Sequence, residues 1–458
     1  MRAIPRILIA GTGSGCGKTT VTCALLQALV NRNLRVRACK CGPDYIDPMF
    51  HRHIVGRSSS NLDLFLLGPD TVRRLLAKAG AGCDITVIEG VMGYYDGLAL
   101  DNSAASSWQV ARVTHTPAVL VVDARAAALS VLATVEGFLN FQPHSQIAGV
   151  ILNGCSAGVY EGLAKAIRER FGSRVQPLGF LPRMEDCRLE SRHLGLVTAD
   201  EVEGLDRKLE VLARQAAQSL DLEGLLALAR SAPPLSFRPL PLPRFGETVR
   251  IALARDKAFC FYYADSLDLL ARLGAELVPF SPLEDKELPP DIQGLYLGGG
   301  YPELYADRLS ANRSMRRSIR QAVESGIPTV AECGGFMYLT QTIAGRPMAG
   351  ALPGDCFDAG RLTRFGYLTL TAQSDSLLCA KGQKLPAHEF HHWDCTQLGG
   401  DWLAQKPSGR SWTSGLAGPT LYAGYPHLHF CAAPGAAVRF YTACIKEKHR
   451  HESDHPTR

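Results

Sequence analysis

Arg6-Ile-Leu-Ile-Ala-Gly-Thr-Gly-Ser-Gly-Cys-Gly-Lys18-Thr-Thr20 joins an apolar strand to a glycine-rich loop, and a helix-like segment follows over residues 20–31. This order is typical of a phosphate-binding loop, in which backbone N–H groups surround phosphate oxygens. We expect Lys18 to reach the outer phosphates of a nucleotide and Thr19 to bind Mg²⁺. The residues that we predict to bind the nucleotide are Thr12, Gly13, Gly15, Gly17, Lys18, Thr19 and Thr20.

One position of this loop departs from the common pattern. Counted back from Lys18, the first glycine of GxxxxGK[ST] falls on Thr12. A glycine-rich turn with an unrelated lysine is the alternative interpretation. Strand, loop and helix nevertheless follow in the order that a phosphate loop requires, so we predict a nucleotide site.

The composition limits the class of protein. The chain has 458 residues, 46% of them apolar, and a formal net charge of +5. Its length predicts more than one domain, and without a block of like charges neither nucleic acid nor a membrane surface is an expected partner. The best candidate for a membrane span, residues 118–139, contains Asp123, Arg125 and Glu136. The N-terminus lacks a secretory pattern, so we expect a cytoplasmic protein with reduced cysteines.

Two similar patterns lie on either side of a proline-rich segment. Strands are predicted at residues 6–10, 35–38, 85–88, 118–122 and 147–152 before it, and at 249–254, 276–280, 294–297 and 329–331 after it. Because helical segments separate these strands, we predict an α/β fold with two doubly wound domains. The predicted division is a first domain at residues 1–231, a linker at 232–247, a second domain at 248–445 and a charged tail at 446–458.

Charged residues follow the second and third of these strands. Ligands of open α/β sheets bind at the carboxyl edge of the strands, so Lys40, Asp44 and Glu89 are candidates for the nucleotide site. We expect Lys40 to neutralise charge on a transferred phosphoryl group. Glu89 is a predicted Mg²⁺ ligand, because Mg²⁺ prefers carboxylate oxygens.

Two further polar residues are candidates at the same edge. Asp96 follows Glu89 by seven positions, and Asn153 closes the strand predicted at residues 147–152. Asn153 is placed to read a nucleotide base. The alternative interpretations are a solvated loop residue for Asp96 and a turn residue for Asn153.

The second domain contains a cysteine in the setting of a nucleophile. Pro328-Thr-Val-Ala-Glu-Cys333-Gly-Gly-Phe-Met-Tyr-Leu predicts a strand, a sharp turn and a helix. Cys333 then stands at a helix N-terminus, where the helix dipole and free N–H groups favour the thiolate. The glycines that we expect to supply oxyanion-hole N–H groups are Gly299, Gly300 and Gly334.

A cysteine nucleophile needs a base, and two pairs of histidines are candidates. His427 and His429 are two positions apart and therefore lie on one face of a strand. We expect His388 and His391, the other pair, to contact substrate or to support the fold. The residues alone leave the choice between His427 and His429 open.

The chain from residue 6 to residue 442 resembles the cobyrinic acid a,c-diamide synthase family. The motifs that carry the resemblance are GTGSGCGKTT (11–20), CKCGPDYIDPMFH (39–51), IEGVMGYYDG (88–97), LGGGYPELY (297–305), AECGGFMYL (331–339), HEFH (388–391) and YPHLHF (425–430). The N-terminal half resembles dethiobiotin synthetase, whose loop also begins with Gly-Thr, and this accounts for Thr12. The C-terminal half resembles triad (class I) glutamine amidotransferases.

The resemblance implies an ATP- and Mg²⁺-dependent ligase that amidates the a and c side chains of cobyrinic acid, with glutamine as nitrogen donor. Cys333, assisted by His427, would release ammonia from glutamine through a thioester. The first domain would convert a substrate carboxylate into an acyl phosphate, with Lys40 and Glu89 stabilising the transfer. The residues implied to orient the corrin are Asp44, Tyr45 and Asp96.

The chain departs from related amidotransferases beside the proposed base, where Pro426 directly precedes His427. Triads of related amidotransferases carry a glutamate two residues beyond the histidine, whereas this chain has His429 there. His429 is therefore a hypothetical orienting residue. The expected partners are three small molecules, cobyrinic acid, glutamine and ATP, and a homodimer is left open.

Two other functions compete with this reading. The first alternative is a related enzyme with the same two domains, which amidates the a and c side chains of nickel sirohydrochlorin. A switch or partitioning ATPase with an inactive second domain is the alternative from another class. Partitioning ATPases place a lysine five residues before the loop lysine, where this chain has Gly13.

Overall fold

The computed structural model describes residues 2–187, 191–192 and 195–454 of the chain. The chain forms two compact units, Met1–Pro239 and Leu240–Arg458. Their division falls inside the proline-rich segment at residues 232–247, where proline cannot donate the hydrogen bonds of a helix or a central strand. Each unit is an α/β structure, so the predicted fold class is confirmed.

The first unit is built on a seven-stranded sheet. Its strands are β1 (Arg6–Gly11), β2 (Val36–Cys41), β3 (Ser60–Leu62), β4 (Ile85–Glu89), β5 (Ala118–Asp123), β6 (Ile147–Asn153) and β7 (Gln176–Leu181). They stand in the order β3-β2-β4-β1-β5-β6-β7, and each neighbouring pair is parallel. A two-stranded antiparallel pair, β8 (Ser191–Arg192) and β9 (Gly195–Leu196), follows.

Helices connect these parallel strands, because a parallel pair requires a crossover. The connecting helices are α1 (Lys18–Asn31), α2 (Ile46–Val55), α3 (Leu64–Ala79), α4 (Ser107–Thr114), α5 (Ser130–Phe141) and α6 (Ala157–Phe171), and α7 (Leu205–Ser219) and α8 (Leu222–Ser231) follow the last strand of the unit. Residues 7–9 of β1 and 118–121 of β5 are completely buried, as expected of a sheet covered on both faces. The carboxyl ends of β1, β2 and β4 share one edge, which positions the first candidate site.

The second unit has a central six-stranded sheet. Its strands are β10 (Val249–Ala254), β11 (Ala275–Phe280), β12 (Gly294–Leu297), β13 (Thr329–Glu332), β22 (Leu416–Gly418) and β23 (Leu421–Gly424). The order is β11-β10-β12-β13-β23-β22, and all pairs but the last are parallel. The helices of this unit are α9 (Ala264–Leu273), α10 (Ala306–Ala311), α11 (Arg313–Glu324), α12 (Gly334–Leu339) and α13 (Pro434–Asp454).

Two smaller sheets accompany the central one. Their strands are β14 (Thr342–Ile343), β15 (Arg346–Pro347), β16 (Asp355–Asp358), β17 (Arg364–Ala372), β18 (Lys384–His391), β19 (Trp393–Cys395), β20 (Trp402–Gln405), β21 (Ser411–Ser414) and β24 (His427–Leu428). The orders are β15-β14-β16-β19 and β21-β20-β17-β18-β24, and every pair of the second sheet is antiparallel.

The last helix contains part of the predicted tail. Residues 446–454 continue α13, and residues 455–458 lie outside the described part of the chain. Among the helices that the structure describes, none has both the length and the apolar character to cross a membrane.

Candidate active sites

The first site is the loop between β1 and α1. Gly17 ends the loop with φ of 95°, a left-handed conformation that favours glycine. Asn153 Nδ2 donates a hydrogen bond of 3.0 Å to the carbonyl of Cys16. The side-chain amide of Asn153 therefore binds the backbone of the loop. This contact differs from the predicted one, in which Asn153 binds a nucleotide base. The Lys18 ammonium donates to the carbonyl of Gly13 (3.0 Å), and burial lowers the pKa of Lys18.

Replacing Gly17 by alanine is expected to disrupt this loop. A Cβ at this position would lie 2.0 Å from Asn153 Nδ2, and the left-handed backbone adds roughly 1–2 kcal/mol of strain. We expect the affinity for ATP to fall by about tenfold or more, measured by calorimetric titration. Gly158→Ala is the matched control, because a Cβ there meets no atom within 4 Å. Equal ATP affinity in both variants would contradict the role of Gly17.

Glu89 lies at the centre of a buried charged cluster beside the loop. Its Oε1 accepts hydrogen bonds from the Thr19 hydroxyl (2.7 Å) and the Lys40 ammonium (3.1 Å). Its Oε2 lies 2.7 Å from His51 Nε2, and the Lys40 ammonium lies 2.5 Å from Asp47 Oδ2. The structure thus brings together Thr19, Lys40 and Glu89, as the sequence predicted.

Opposite charges outweigh burial in this cluster. Burial alone would lower the pKa of Lys40, but the carboxylates of Asp47 and Glu89 hold that pKa above its usual value. Burial alone would raise the pKa of Glu89, but Lys40 and His51 hold it below its usual range. Lys40 is therefore a cation and Glu89 an anion at neutral pH.

His51 and Asp47 are members of the cluster to which the sequence alone assigned no role. Both lie on α2, four residues apart, and therefore on one face of the helix. His51 is completely buried, and its Nδ1 lies 3.2 Å from the Ser59 hydroxyl. The four-residue spacing of two titratable residues, on a helix that follows Lys40, is the sequence signal that could have identified them.

The residues predicted to orient substrate lie around the same edge. Asp44 Oδ1 accepts hydrogen bonds from the N–H groups of Ile46 and Asp47 at the start of α2, and Tyr45 directly precedes that helix. Asp96 accepts from the Gly93 N–H (2.7 Å). Asp96 also lines a cavity of about 410 Å³ whose wall includes Thr12, Tyr95, Phe138 and Phe141.

The second site is centred on Cys333, which lies between β13 and α12. Its φ of 49° and ψ of −106° are rare for a residue with a side chain, and such strain concentrates at functional sites. The Cys333 N–H donates to the carbonyl of Gly424 (2.7 Å), which fixes the turn. The thiol side chain is largely buried, with 7% of the residue exposed.

The predicted oxyanion glycines approach this cysteine. A Cβ on Gly299 would lie 2.4 Å from His427 Cε1, so only glycine allows this close packing. A Cβ on Gly334 would lie 3.1 Å from the nitrogen of Gly300, so the backbones of these two glycines pack closely together. The arrangement can stabilise a developing oxyanion next to the thiol.

His427 lies between Cys333 and Glu332. Its Nδ1 is 3.7 Å from Glu332 Oε2. Burial alone would lower the pKa of His427, but interactions with Cys333 and Glu332 outweigh burial and raise it to about 10. His388 is the cross-strand neighbour of His427, and burial together with His427 lowers the pKa of His388 to about 3.

His429 has different surroundings. The Cys431 N–H donates to His429 Nδ1 (3.2 Å), and the Ser266 hydroxyl lies 3.4 Å from the same nitrogen. The ring stacks on Tyr263, with centroids 4.6 Å apart. Burial lowers the pKa of His429 to about 3, so this histidine is neutral at physiological pH. His391 stacks on Tyr425, with centroids 3.8 Å apart.

These surroundings predict different effects of substituting the two histidines. His427→Asn should lower kcat for glutamine hydrolysis by about 10²–10⁴-fold, since it removes the predicted base. His429→Asn should lower kcat much less and cost about 1–3 kcal/mol of stability, since it breaks buried hydrogen bonds. Glutamate release and urea unfolding measure the two effects. A larger loss of kcat in His429→Asn would identify His429 as the base.

Both halves of the chain match known families. A family model of the CobQ/CobB/MinD/ParA nucleotide binding domain matches residues 7–197, and one of the CobB/CobQ-like glutamine amidotransferase domain matches residues 250–434. The cobyrinate a,c-diamide synthase of Listeria monocytogenes serotype 4b is 42% identical over an alignment of 437 residues, which covers 93% of this chain and 96% of that protein. The chain belongs to the cobyrinate a,c-diamide synthase family.

Other members of this family are similarly close. The cobyrinate a,c-diamide synthase of Salmonella typhimurium is 41% identical over an alignment of 444 residues, which covers 93% of this chain and 95% of that protein. The hydrogenobyrinate a,c-diamide synthase of Streptomyces coelicolor is 41% identical over an alignment of 481 positions including gaps, which covers 96% of this chain and 98% of that protein. The chain is accordingly an amidotransferase ligase with a nucleotide-binding domain, which contradicts the alternative of a switch ATPase.

Proposed function

We propose that the chain catalyses the ATP- and glutamine-dependent amidation of the a and c carboxylates of cobyrinic acid. The observation that carries this proposal is the similarity over 93% of the chain to relatives named cobyrinate a,c-diamide synthase. The geometry supports it, because Thr19, Lys40 and Glu89 converge beside the phosphate loop. In the second unit, Cys333 interacts with His427, and Gly299 packs against His427, as the proposed oxyanion hole requires.

The second unit would hydrolyse glutamine by nucleophilic catalysis. The Cys333 thiolate attacks the amide carbon, and the N–H groups of Gly300 and Gly334 stabilise the oxyanion. The protonated His427 gives its proton to the leaving nitrogen, so ammonia departs and a thioester remains. Water then hydrolyses the thioester, with His427 as base, and glutamate leaves as the thiolate is restored.

The first unit would activate the acceptor carboxylate. A carboxylate oxygen of the substrate attacks the γ-phosphorus of ATP, ADP leaves, and an acyl phosphate forms. Ammonia then attacks the acyl carbon, and inorganic phosphate leaves as the amide forms. Lys18 and Lys40 neutralise negative charge on the transferred group. Asp44, Tyr45 and Asp96 would orient the corrin.

The residues beside the loop also fit Mg²⁺. The Thr19 hydroxyl and Glu89 carboxylate supply two hard oxygen atoms only 2.7 Å apart. Mg²⁺ characteristically binds one or two protein oxygens together with substrate phosphates. Thr19 and Glu89 would hold the ion, which supplies charge neutralisation at the phosphates.

A comparison of substrates tests the proposal. Purified protein with ATP, Mg²⁺ and glutamine would receive cobyrinic acid, hydrogenobyrinic acid or nickel sirohydrochlorin, and mass spectrometry would count the amides. We expect two amides on cobyrinic acid and the highest kcat/KM for it. The metal-free corrin is included because one relative is named for it. Amidation of nickel sirohydrochlorin alone would overturn the substrate assignment.

A further inference from the structure

Glu332 lies directly before the nucleophile, at the end of β13. The residue is almost completely buried, with 1% exposed. Its Oε1 accepts hydrogen bonds from the Leu428 N–H (3.1 Å) and from the Tyr296 hydroxyl (3.4 Å). Two donors on one oxygen fix the carboxylate in place. The other oxygen, Oε2, then faces His427 Nδ1 at 3.7 Å.

His429 occupies the sequence position at which related amidotransferases carry an orienting glutamate, but its contacts do not suit that role. Because the Cys431 N–H donates to His429 Nδ1, that nitrogen carries a lone pair and the proton sits on Nε2. The stacking on Tyr263 holds the ring in that place. A neutral imidazole in this state offers no negative charge to an imidazolium at His427.

We propose that Glu332 is the positioning residue of the glutaminase and takes the part that a glutamate two residues after the histidine plays elsewhere. The carboxylate stabilises the imidazolium of His427 beside the Cys333 thiolate. After His427 has given its Nε2 proton to the leaving nitrogen, the carboxylate keeps the remaining proton on Nδ1, so that Nε2 can act as the base toward water. This inference rests only on the glutaminase half of the proposed function and is independent of the acceptor substrate.

The distance fits a contact that tightens during the reaction. An ion pair is still attractive at 3.7 Å, and an approach of about 0.8 Å gives an ordinary N–H···O hydrogen bond. Catalytic hydrogen bonds are often long before substrate binds. The Leu428 N–H donates to Glu332, and Leu428 directly follows His427 in the chain. Glu332 therefore holds the backbone of β24 next to the histidine that its carboxylate faces.

Glu332→Gln separates positioning from mere packing. The glutamine oxygen can still accept from the Leu428 N–H, which turns the NH₂ group toward His427 Nδ1. Two donors then face each other, and the imidazole adopts the tautomer whose Nε2 cannot act as the base toward water. We expect kcat for glutamine hydrolysis to fall by about 10³–10⁴-fold. KM for glutamine should change little, because Glu332 is almost completely buried.

Glu389→Gln is the matched control. Glu389 is a second completely buried carboxylate of this unit, and its Oε2 lies 3.8 Å from His391 Nε2. The chemical change is identical, but the histidine involved is not the base, so kcat should stay close to that of the unsubstituted protein. An equal loss of kcat in Glu389→Gln would overturn the inference, since it would show a general effect of losing a buried carboxylate.

A second variant covers the case in which Glu332→Gln does not fold. Glu332→Asp keeps the charge but withdraws the carboxylate from His427 by about one methylene, so kcat should fall with an unchanged KM. Glutamate release without ATP or corrin is the assay. Full kcat in either variant overturns the role of Glu332. Absence of glutamine hydrolysis in the unsubstituted protein would instead count against the proposed glutaminase itself.

Discussion

Cys333→Ala is expected to abolish glutamine-dependent amidation while amidation with ammonium salts continues. Without the thiol no thioester forms, and loss of a nucleophile typically lowers turnover by about 10⁴–10⁶-fold. Added ammonia bypasses this step because it attacks the acyl phosphate directly. Amide formation on the corrin, followed by mass spectrometry with each nitrogen source, measures both effects.

A second cysteine provides the control for this experiment. Cys379 is also buried in the second unit, with 2% exposed. Cys379→Ala should retain amidation with both nitrogen sources, since removal of one buried sulfur affects packing alone. Loss of ammonium-dependent amidation in Cys333→Ala would contradict the division of labour between the two sites.

Lys40→Met is expected to abolish amidation with either nitrogen source and to leave glutamine hydrolysis intact. The variant removes the cation that we propose to face the transferred phosphoryl group, and it leaves the Asp47 and Glu89 carboxylates buried without the charge of Lys40. Removal of one member of a buried ion pair costs about 3–5 kcal/mol. Urea unfolding, amide formation and glutamate release measure the three effects.

Lys165→Met is the matched control for Lys40. Lys165 belongs to the same unit, but its side chain is 79% exposed and its nitrogen lies 3.9 Å from Glu169. An exposed pair of this kind contributes about 0–1 kcal/mol, so stability and both activities should be retained. Ammonium-dependent amidation by Lys40→Met at the original rate would exclude Lys40 from phosphoryl transfer.

Local patterns made much of the fold predictable. The strands predicted at residues 249–254 and 294–297 coincide with β10 and β12, and that at 147–152 extends by one residue to Asn153. Each is a short apolar run between turn residues, so the neighbouring sequence alone determines it. The strained turn at Cys333 was predictable for the same reason, because a strand leads directly into a glycine-flanked helix.

The antiparallel sheets of the second unit were not predicted. Only the second half of β17, from Tyr367 to Ala372, alternates partly exposed with buried residues. The polar residues of β18, which do not mark a core strand, are Lys384, His388, Glu389 and His391. β3 contains only the residues Ser60–Leu62, two of which are polar. Such strands are stabilised by pairing with strands that are distant in sequence, as β18 pairs with β24. The local sequence does not indicate this pairing.

Contacts between distant residues also explain what was missed at the sites. Glu332 and Leu428, whose hydrogen bond anchors the proposed base, are 96 positions apart in sequence. His51 and Glu89 are 38 positions apart. Asn153 ends its strand as predicted, yet its amide binds the loop backbone 137 positions away. The sequence indicates which chemical groups are present, and the fold decides which of them meet.

Isotope transfer in a single turnover tests the central claim that one chain activates a carboxylate with ATP and supplies it with ammonia from glutamine. Cobyrinic acid with ¹⁸O in its a and c carboxylates would react with ATP, Mg²⁺ and glutamine labelled with ¹⁵N in its amide. We predict ¹⁵N in each new amide and one ¹⁸O in inorganic phosphate for each amide formed. Amides that form while the phosphate contains no ¹⁸O would contradict activation through an acyl phosphate.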